Sequence, residues 1–480
     1  MILKIIHTSD LHGYFFPTDY LDRKEKNTGY LSLLNNIKKD ETTIITDGGD
    51  ILQGSSFAYY VKENLNSNVV ADIMQNVDYY TLGNHDFNYG YVYLRTYVEN
   101  MKGKLVCANV RDKTGKIKFD PYYVKEIDDY KIGIAGVVTD WVNLWERKEN
   151  LVNFEVTDAF EGAKRALDGL KKENTDFNIL IYHGGYEIDL TSGKKLSETT
   201  ENIGGKIAKE LDFNIILAGH QHMEIAGYIG DTLAIETPAN GSKAALVEVD
   251  LARKEMKASF IDPRLGDNSL IKKYREIEEE VQDYLDQPIA ELSRDYMPED
   301  RIKMALHGSD LADLINKIQL DYTGADISIT SFANVISGLK KNLTTRDVLN
   351  TYRFPNTTVV LEIDGKSLRE ALEQNFSYIE YDDGSYKISK KFLEPKEEHY
   401  NFDYFYGIDF EKDLTKKVGK RIGKIFFKGK EVKDSDKFSL VMNNYRATGA
   451  GGFDMYKDLK VIKNYDKETS EILLDYFRNL

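Results

Sequence analysis

Cys107 is the only cysteine among 480 residues, which excludes a disulfide framework and any zinc site built on thiolates. No uninterrupted apolar run approaches the length of a membrane span. The start, Met1-Ile2-Leu3-Lys4-Ile5-Ile6-His7, lacks a basic stretch followed by a long apolar one, so no leader is expected and the expected location is cytoplasmic, with export as the alternative if a leader has been removed. Positive charge is outnumbered, with 64 Lys and Arg against 79 Asp and Glu. A net charge of -15 argues against a nucleic-acid polymer as the main partner, because a phosphate backbone needs a basic face. Small phosphate substrates stay open, since a locally bound metal outweighs the global field. Internal repeats and low-complexity tracts are absent.

What is present is the composition of a globular protein, 41% apolar and 30% charged, with length enough for two or more domains. The first half alternates short apolar runs with helical patterns. Strands are expected at Ile2–Ile6, Thr43–Thr46, Asp78–Leu82, Lys131–Val138, Asn178–Tyr182 and Asn214–Ala218, and a β-rich tail from Thr232 to Asp250. Tyr30, Leu33, Leu34 and Ile37 make a helical stripe. Alternating strands and helices imply a layered α/β domain with a covered sheet. Asp267 to Gln287 carries apolar residues at helical spacing, a charged opposite face and Pro288 at its end; it reads as a linker helix, or equally as a surface helix of one domain. Beyond Ala290 the pattern is again mixed α and β: a helix over Ala305–Thr323, strands at Asp326–Ser331, Val359–Ile363 and Phe438–Met442, and a helix at Lys366–Gln374.

Five apolar runs end in residues able to bind metal: Asp10-Leu11-His12, Gly49-Asp50, Gly83-Asn84-His85-Asp86, Tyr182-His183-Gly184 and Gly219-His220-Gln221-His222. Strand ends of an α/β sheet gather on one rim, where ligands bind. The chain has eight histidines, five of them in these motifs; the others are His7, His307 and His399. Any one alone suits a structural role, as Asp50 alone suits a helix N-cap and Asn84 a turn. Five at strand exits do not suit chance. Asp10 and His12, or His220 and His222, point the same way if the backbone stays extended. Imidazole plus carboxylate without thiolate favours Zn, Mn, Fe or Co over Mg or Ca. Two such ions outweigh the charge of Asp10 and Asp50 and favour a phosphoryl group; paired metals activate a water and clamp an in-line displacement.

The five motifs, in this order, resemble those of the calcineurin-like metallophosphoesterases, and within them the two-domain 5'-nucleotidase family. The resemblance implies an α/β fold: a four-layer metallophosphatase β-sandwich domain over 1–265 with flanking helices, a linker helix over 266–289, and a C-terminal mixed α/β substrate-binding domain over 290–480. It implies two divalent ions, with Mn or Zn favoured and Fe or Co as alternatives. Asp10, His12, Asp50 and His222 would hold one ion; Asp50 would bridge; Asn84, His183 and His220 would hold the second. His85 would donate to the phosphoryl oxygens.

Thr345-Arg346-Asp347-Val348, Tyr352-Arg353-Phe354-Pro355-Asn356-Thr357, Asn401-Phe402-Asp403 and Asn443-Asn444-Tyr445-Arg446-Ala447-Thr448-Gly449 are similar to the 2',3'-cyclic-nucleotide 2'-phosphodiesterase/3'-nucleotidase branch. Three departures from the 5'-nucleotidase pattern agree. Asn88 stands where that group pairs an aspartate with the catalytic histidine, so His85 is expected to act as a neutral hydrogen-bond donor. Ser331-Phe332-Ala333-Asn334-Val335-Ile336 lacks the phosphate-gripping arginine, and Gly451 replaces a ribose-binding aspartate. The family stacks the base between aromatic rings; Tyr445 is the first candidate, with Tyr400, Phe402 or Phe405 as partner, and Gly449 and Gly451 allowing close backbone approach. Among 32 tyrosines and 22 phenylalanines an alternating aromatic is as readily core, and Phe402 suits a buried strand position. The expected activity is hydrolysis of 2',3'-cyclic nucleotides and of the resulting 3'-nucleotides. The alternatives are a 5'-nucleotidase or nucleotide-sugar hydrolase, and a nucleotide-binding protein without catalysis.

Overall fold

Alternation sets the architecture of the first half. In the strand Ile2–Thr8, Leu3 and Ile5 share one buried cluster with Ile44, Val247, Ile132, Ile134, Ile179, Ile181, Ile215 and Leu217. Ile6 and Ile45 face the opposite way and are buried too, so both faces of this sheet are covered. Two six-stranded sheets contribute to that shared cluster. The first runs, in spatial order, Glu255–Ile261, Ala244–Asp250, Ile2–Thr8, Thr43–Asp47, Tyr79–Tyr80 and Lys104–Leu105; the second runs Ile225–Ile229, Thr232–Glu236, Ile215–Ala218, Phe177–His183, Tyr130–Val138 and Tyr122–Ile127.

The outward residues of the second sheet, among them Leu180, Tyr182 and Ile216, pack with Ala163, Ala166, Leu167 and Leu170. Those four come from the helix Ala159–Lys172, which Asp158 starts by accepting a hydrogen bond from the Glu161 amide and which ends in Lys171 and Lys172, as its dipole favours. The central strands that end at the motifs run parallel: Ile2–Thr8, Thr43–Asp47 and Tyr79–Tyr80 in one sheet, Phe177–His183 and Ile215–Ala218 in the other. Their carboxyl ends therefore share a rim.

The computed structural model describes every residue except 191, 197–199, 354–355 and 395–396. The Phe354-Pro355 step of the second-half motif thus lies outside the described residues. Among those described, no helix is long and apolar enough to cross a membrane. The chain divides into units Met1–Gln282 and Asp283–Leu480. The division falls inside the helix Ser269–Leu285, whose earlier turns bind the first unit: the Lys273 and Tyr274 side chains meet Asp72, and the Tyr20 hydroxyl donates to Glu278 at 3.0 Å.

The second unit is built on a five-stranded mixed sheet, in order Asp403–Tyr406, Ile327–Ser331, Lys437–Asn443, Thr357–Asp364 and Lys460–Glu468. The expected single helix over Ala305–Thr323 is two, Arg301–His307 and Asp310–Thr323. Gly308 at φ 89° breaks it, and Ser309 caps the second helix through the Ala312 amide. The stripe ending at Ile37 is also shorter than its spacing suggests, since its helix stops at Leu34.

Candidate dinuclear metal centre

The loops after the parallel strands turn sharply. Asp10, His12, Asp50, His220 and His222 all adopt left-handed backbone, with φ between 48° and 77°. Left-handed geometry costs a residue with a Cβ about 1–2 kcal/mol, and a run of such residues marks a functional site. The extended pairing expected for Asp10 with His12, and for His220 with His222, is therefore corrected. Turns bring these side chains together, because strand alternation ends before the motifs begin.

Two clusters result. In one, His12 Nε2 stands 3.2 Å from His222 Nε2, which is 3.3 Å from Asp10 Oδ1. In the other, Asn84 Oδ1 is 3.1 Å from His183 Nε2 and 3.0 Å from His220 Nδ1, while Asp50 Oδ2 is 3.3 Å from His183 Nε2. Asp10 lies within ligand distance of both clusters. All seven residues that the resemblance assigns to metal are thus brought together, and apart from His220 and His222 they are buried.

The remaining ring nitrogens show how these histidines are held. His12 Nδ1 donates to the Gln53 carbonyl at 2.9 Å and His183 Nδ1 to the Gly48 carbonyl at 2.8 Å. His220 Nε2 lies 3.0 Å from Glu201 Oε1. Each contact fixes the tautomer that aims the other nitrogen at its cluster, the usual support of a metal-ligating imidazole. His183 and His220 then have acceptor oxygens on both sides. A buried imidazole between acceptors, as His183 is, demands a cation at that spot, proton or metal, and this donor set fits divalent ions. Burial opposes charge at His183, yet Asp50 and Asp10 push its pKa up to about 10. Burial would raise Asp50, but His183 and His85 hold it well below the usual carboxylate range. His12 falls to about 4, through burial only partly offset by Asp50.

Sequence reasoning passed over several supporting residues. The Asp86 carboxylate accepts from the amides of Asp50, Ile51, Leu52 and Gly83 at 2.8–3.0 Å, pinning one motif loop to another. Trp145 stacks on His220 with ring centroids 5.4 Å apart. Glu201 and Glu146 lie in loops with no apolar run to point at them. His7 is structural: it is fully buried, and Nδ1 meets Thr46 Oγ1 at 3.0 Å.

His85 sits beside the first cluster, its ring centroid 5.5 Å from that of His12 and its amide on Asp50 Oδ1 at 2.7 Å. His85 Nδ1 faces Asn88 Oδ1 at 2.8 Å, while Asn88 Nδ2 donates to Glu146 Oε2 at 2.5 Å. An amide oxygen only accepts, so Nδ1 carries a proton. A neutral His85 then has a bare Nε2 and cannot donate from it. The expectation of a neutral donor is corrected: His85 donates from Nε2 only as imidazolium.

In the second unit two of the four branch motifs meet at Arg446. Its Nε lies 3.0 Å from Asp403 Oδ2, and its Nη atoms reach Asn401 Oδ1, the Ala450 carbonyl and the Tyr400 carbonyl at 3.3, 2.5 and 2.9 Å. Thr344 and Asp347 form a capping box at the start of Thr345–Thr351. Phe402 is 4% exposed and ringed by Phe376, Tyr378 and Tyr404. It is a core side chain, which removes it as a base platform. Tyr445 is 38% exposed, and Tyr400 and Phe405 are half-buried. Gly449 and Gly451 have φ of 86° and 74°; a Cβ at Gly451 would overlap Asn401 and Arg446. Arg301 stands against the stretch that lacks an arginine, but its guanidinium is engaged by the carbonyls of Ala333 and Asn334.

Residues 3–224 match the family model for calcineurin-like phosphoesterases and residues 288–458 that for the 5'-nucleotidase C-terminal domain. The chain is 23% identical to the trifunctional nucleotide phosphoesterase protein YfkN of Bacillus subtilis, aligned over 99% of this chain but spanning only 38% of that one. It is 24% identical to a 2',3'-cyclic-nucleotide 2'-phosphodiesterase/3'-nucleotidase of Haemophilus influenzae, over 99% of this chain and 84% of that one. A crystal structure assigned to the 5'-nucleotidases, from Staphylococcus aureus in complex with alpha-ketoglutarate, is 28% identical with a TM-score of 0.91, covering 100% of this chain and 97% of that one. Two family models on the two halves, together with the converging carboxylates and imidazoles, make this chain a phosphoric ester hydrolase of the calcineurin-like metallophosphoesterases that carry a 5'-nucleotidase C-terminal domain.

Proposed function

We propose that the protein hydrolyses 2',3'-cyclic nucleotides to 3'-nucleotides, and 3'-nucleotides to nucleosides, at a centre holding two divalent ions, Mn or Zn. The observation that carries the substrate reading is Gly451. Its left-handed backbone and its contact with Asn401 and Arg446 leave no room for the ribose-binding aspartate implied for 5'-nucleotidases. Asn88 beside His85 supports the same branch, as does the name of the Haemophilus influenzae relative.

Asp10, His12 and His222 would hold one ion, Asn84, His183 and His220 the other, with Asp50 between them. Such ions, when bound, would polarise the phosphoryl group and supply an attacking water at neutral pH. The chain's own part is positional. The Asp86 clamp and the carbonyls of Gln53 and Gly48 keep the ligand side chains from reorganising. Imidazolium His85 gives its Nε2 proton to a phosphoryl or leaving-group oxygen. Tyr445 offers a face to the base, with Tyr400 or Phe405 as its counterpart.

The test is product analysis with 2',3'-cyclic AMP, 3'-AMP, AMP and a UDP-sugar after reconstitution with Mn and, separately, Zn. Turnover of the cyclic substrate to 3'-AMP or adenosine supports the reading. Hydrolysis of AMP or the UDP-sugar alone would move the protein to the 5'-nucleotidase reading, which the Staphylococcus aureus neighbour favours. Tight nucleotide binding by a metal-loaded but inactive protein would make it a binding protein.

A further inference from the structure

We infer that Glu146 is a positioning residue for His85, acting through the Asn88 amide. Asn88 on its own does not determine what His85 does, because an amide presents either oxygen or nitrogen to its neighbour. With oxygen toward Nδ1 the ring is held as the Nδ1–H form; with nitrogen toward Nδ1 it is held in the opposite tautomer. Glu146 decides between them. Its Oε2 lies 2.5 Å from Asn88 Nδ2, and a carboxylate there accepts a hydrogen bond but repels an amide oxygen.

The carboxylate is itself anchored. Oε1 accepts from the Arg147 amide at 2.6 Å and from Asn150 Nδ2 at 2.9 Å, and Asn150 Nδ2 also reaches the Asn88 carbonyl at 2.9 Å. Glu146 is only 9% exposed and lies at the end of the short helix Val142–Trp145. No described protein group occupies His85 Nε2. The consequence is that the ring's one exchangeable position faces away from Asn88, and the ring keeps its tautomer whether Nε2 is protonated or bare. A sequence in which the aspartate is replaced by asparagine thus recovers a fixed imidazole by placing a carboxylate one hydrogen bond further away.

This inference rests on His85 being the group that meets the phosphoryl oxygens, so the experiment separates the two. Bis(p-nitrophenyl) phosphate serves as a substrate independent of the base, and H85A reports whether His85 acts at all. E146Q, with a near-identical shape, frees the Asn88 amide to turn. It is expected to lower kcat roughly tenfold, at the low end of what partners of site residues carry, with KM unchanged. N88D places two carboxylates in contact and is expected to lose at least as much. In N88D/E146Q the introduced glutamine amide donates to the introduced carboxylate, which accepts from His85, so kcat should recover to within about threefold of the wild type. Single losses that multiply in the double variant would overturn the inference.

A second readout needs neither metal nor turnover. In metal-free protein labelled with ¹⁵N-histidine, the His85 ring, assigned by its absence in H85A, should show the Nδ1–H pattern in the wild type and a mixture in E146Q. An identical pattern in both would refute a positioning role even if H85A were inactive. A wild-type rate for H85A with the expected E146Q spectrum would instead keep the positioning and sink the catalytic reading of His85.

Discussion

In the first unit the buried ionisable side chains Asp10, His12, Asp50 and His183 point at one another across a rim of strand ends. In the second unit two buried arginines turn onto backbone: Arg421 donates to the carbonyls of Phe376, Ile379 and Lys416 at 2.5–2.8 Å, and Arg446, beside its pairing with Asp403, to those of Ala450 and Tyr400. Both arrangements satisfy buried charge, but only the second does so with the chain alone. A carboxylate facing a bare imidazole nitrogen is completed by a cation from solution; a guanidinium on carbonyls is complete when the fold is. Removing a residue should therefore cost chemistry in the first unit and folding stability in the second.

The sharpest break of that contrast is Asp50→Ala. Asp50 accepts the His85 amide and faces His183, so its loss should empty the centre and reduce hydrolysis to background, with metal content read by elemental analysis. Full activity with full metal content would remove Asp50 from the site. His85→Ala should lower kcat by about 10²–10⁴-fold while metal content stays at the wild-type level. Equal loss of both would make His85 a ligand.

Arg446→Met tests the other side. It strands the Asp403 carboxylate, whose pKa burial already raises against the pull of Arg446. Breaking a buried pair costs about 3–5 kcal/mol, so calorimetry should show a lowered transition for the second unit while the metal content of the first is unchanged. Loss of metal with no loss of stability would contradict the division. Glu201→Gln is milder. It weakens the support of His220 Nε2, and metal affinity should fall about 10–100-fold, measured by competition with a chelating dye.

The same contrast explains what was legible beforehand. Strand periodicity plus the chemistry of imidazole and carboxylate was enough to mark the five strand-end motifs; it was the resemblance to the metallophosphoesterases that singled out Asp10, His12, Asp50, Asn84, His183, His220 and His222 as ligands and set His85 apart. The left-handed turns that aim them were not legible, because Asp and His are enriched at positive φ but only a few per cent of non-glycine residues adopt it, so the residue type alone does not mark the turn. Glu146 and Glu201 were missed for a related reason: each acts across 58 or 19 residues of sequence, on Asn88 and His220. In the second unit, Phe402 and Tyr445 look alike as aromatics in a motif. Only packing separates a ring surrounded by Phe376, Tyr378 and Tyr404 from one more than a third exposed.

The smallest expected effect is a proton. Without metal, both His183 nitrogens face oxygens, and burial is overcome by Asp50 and Asp10, so the ring pKa stands near 10 against an ordinary 6.5. A group raised in the folded state stabilises it fully below the unfolded value, here below pH 6.5, and that contribution is lost as pH rises through 10. His12 at about 4 is already neutral at pH 7 and has no proton to give. Metal binding at pH 7 should therefore expel at least one proton, that of His183. Titration calorimetry in buffers of differing ionisation enthalpy should return that number, and apparent affinity should rise with pH until about 10. Release of no proton would mean that Asp50 and His183 do not form the charged pair their geometry implies, and the first unit would then resemble the second in satisfying its charge internally.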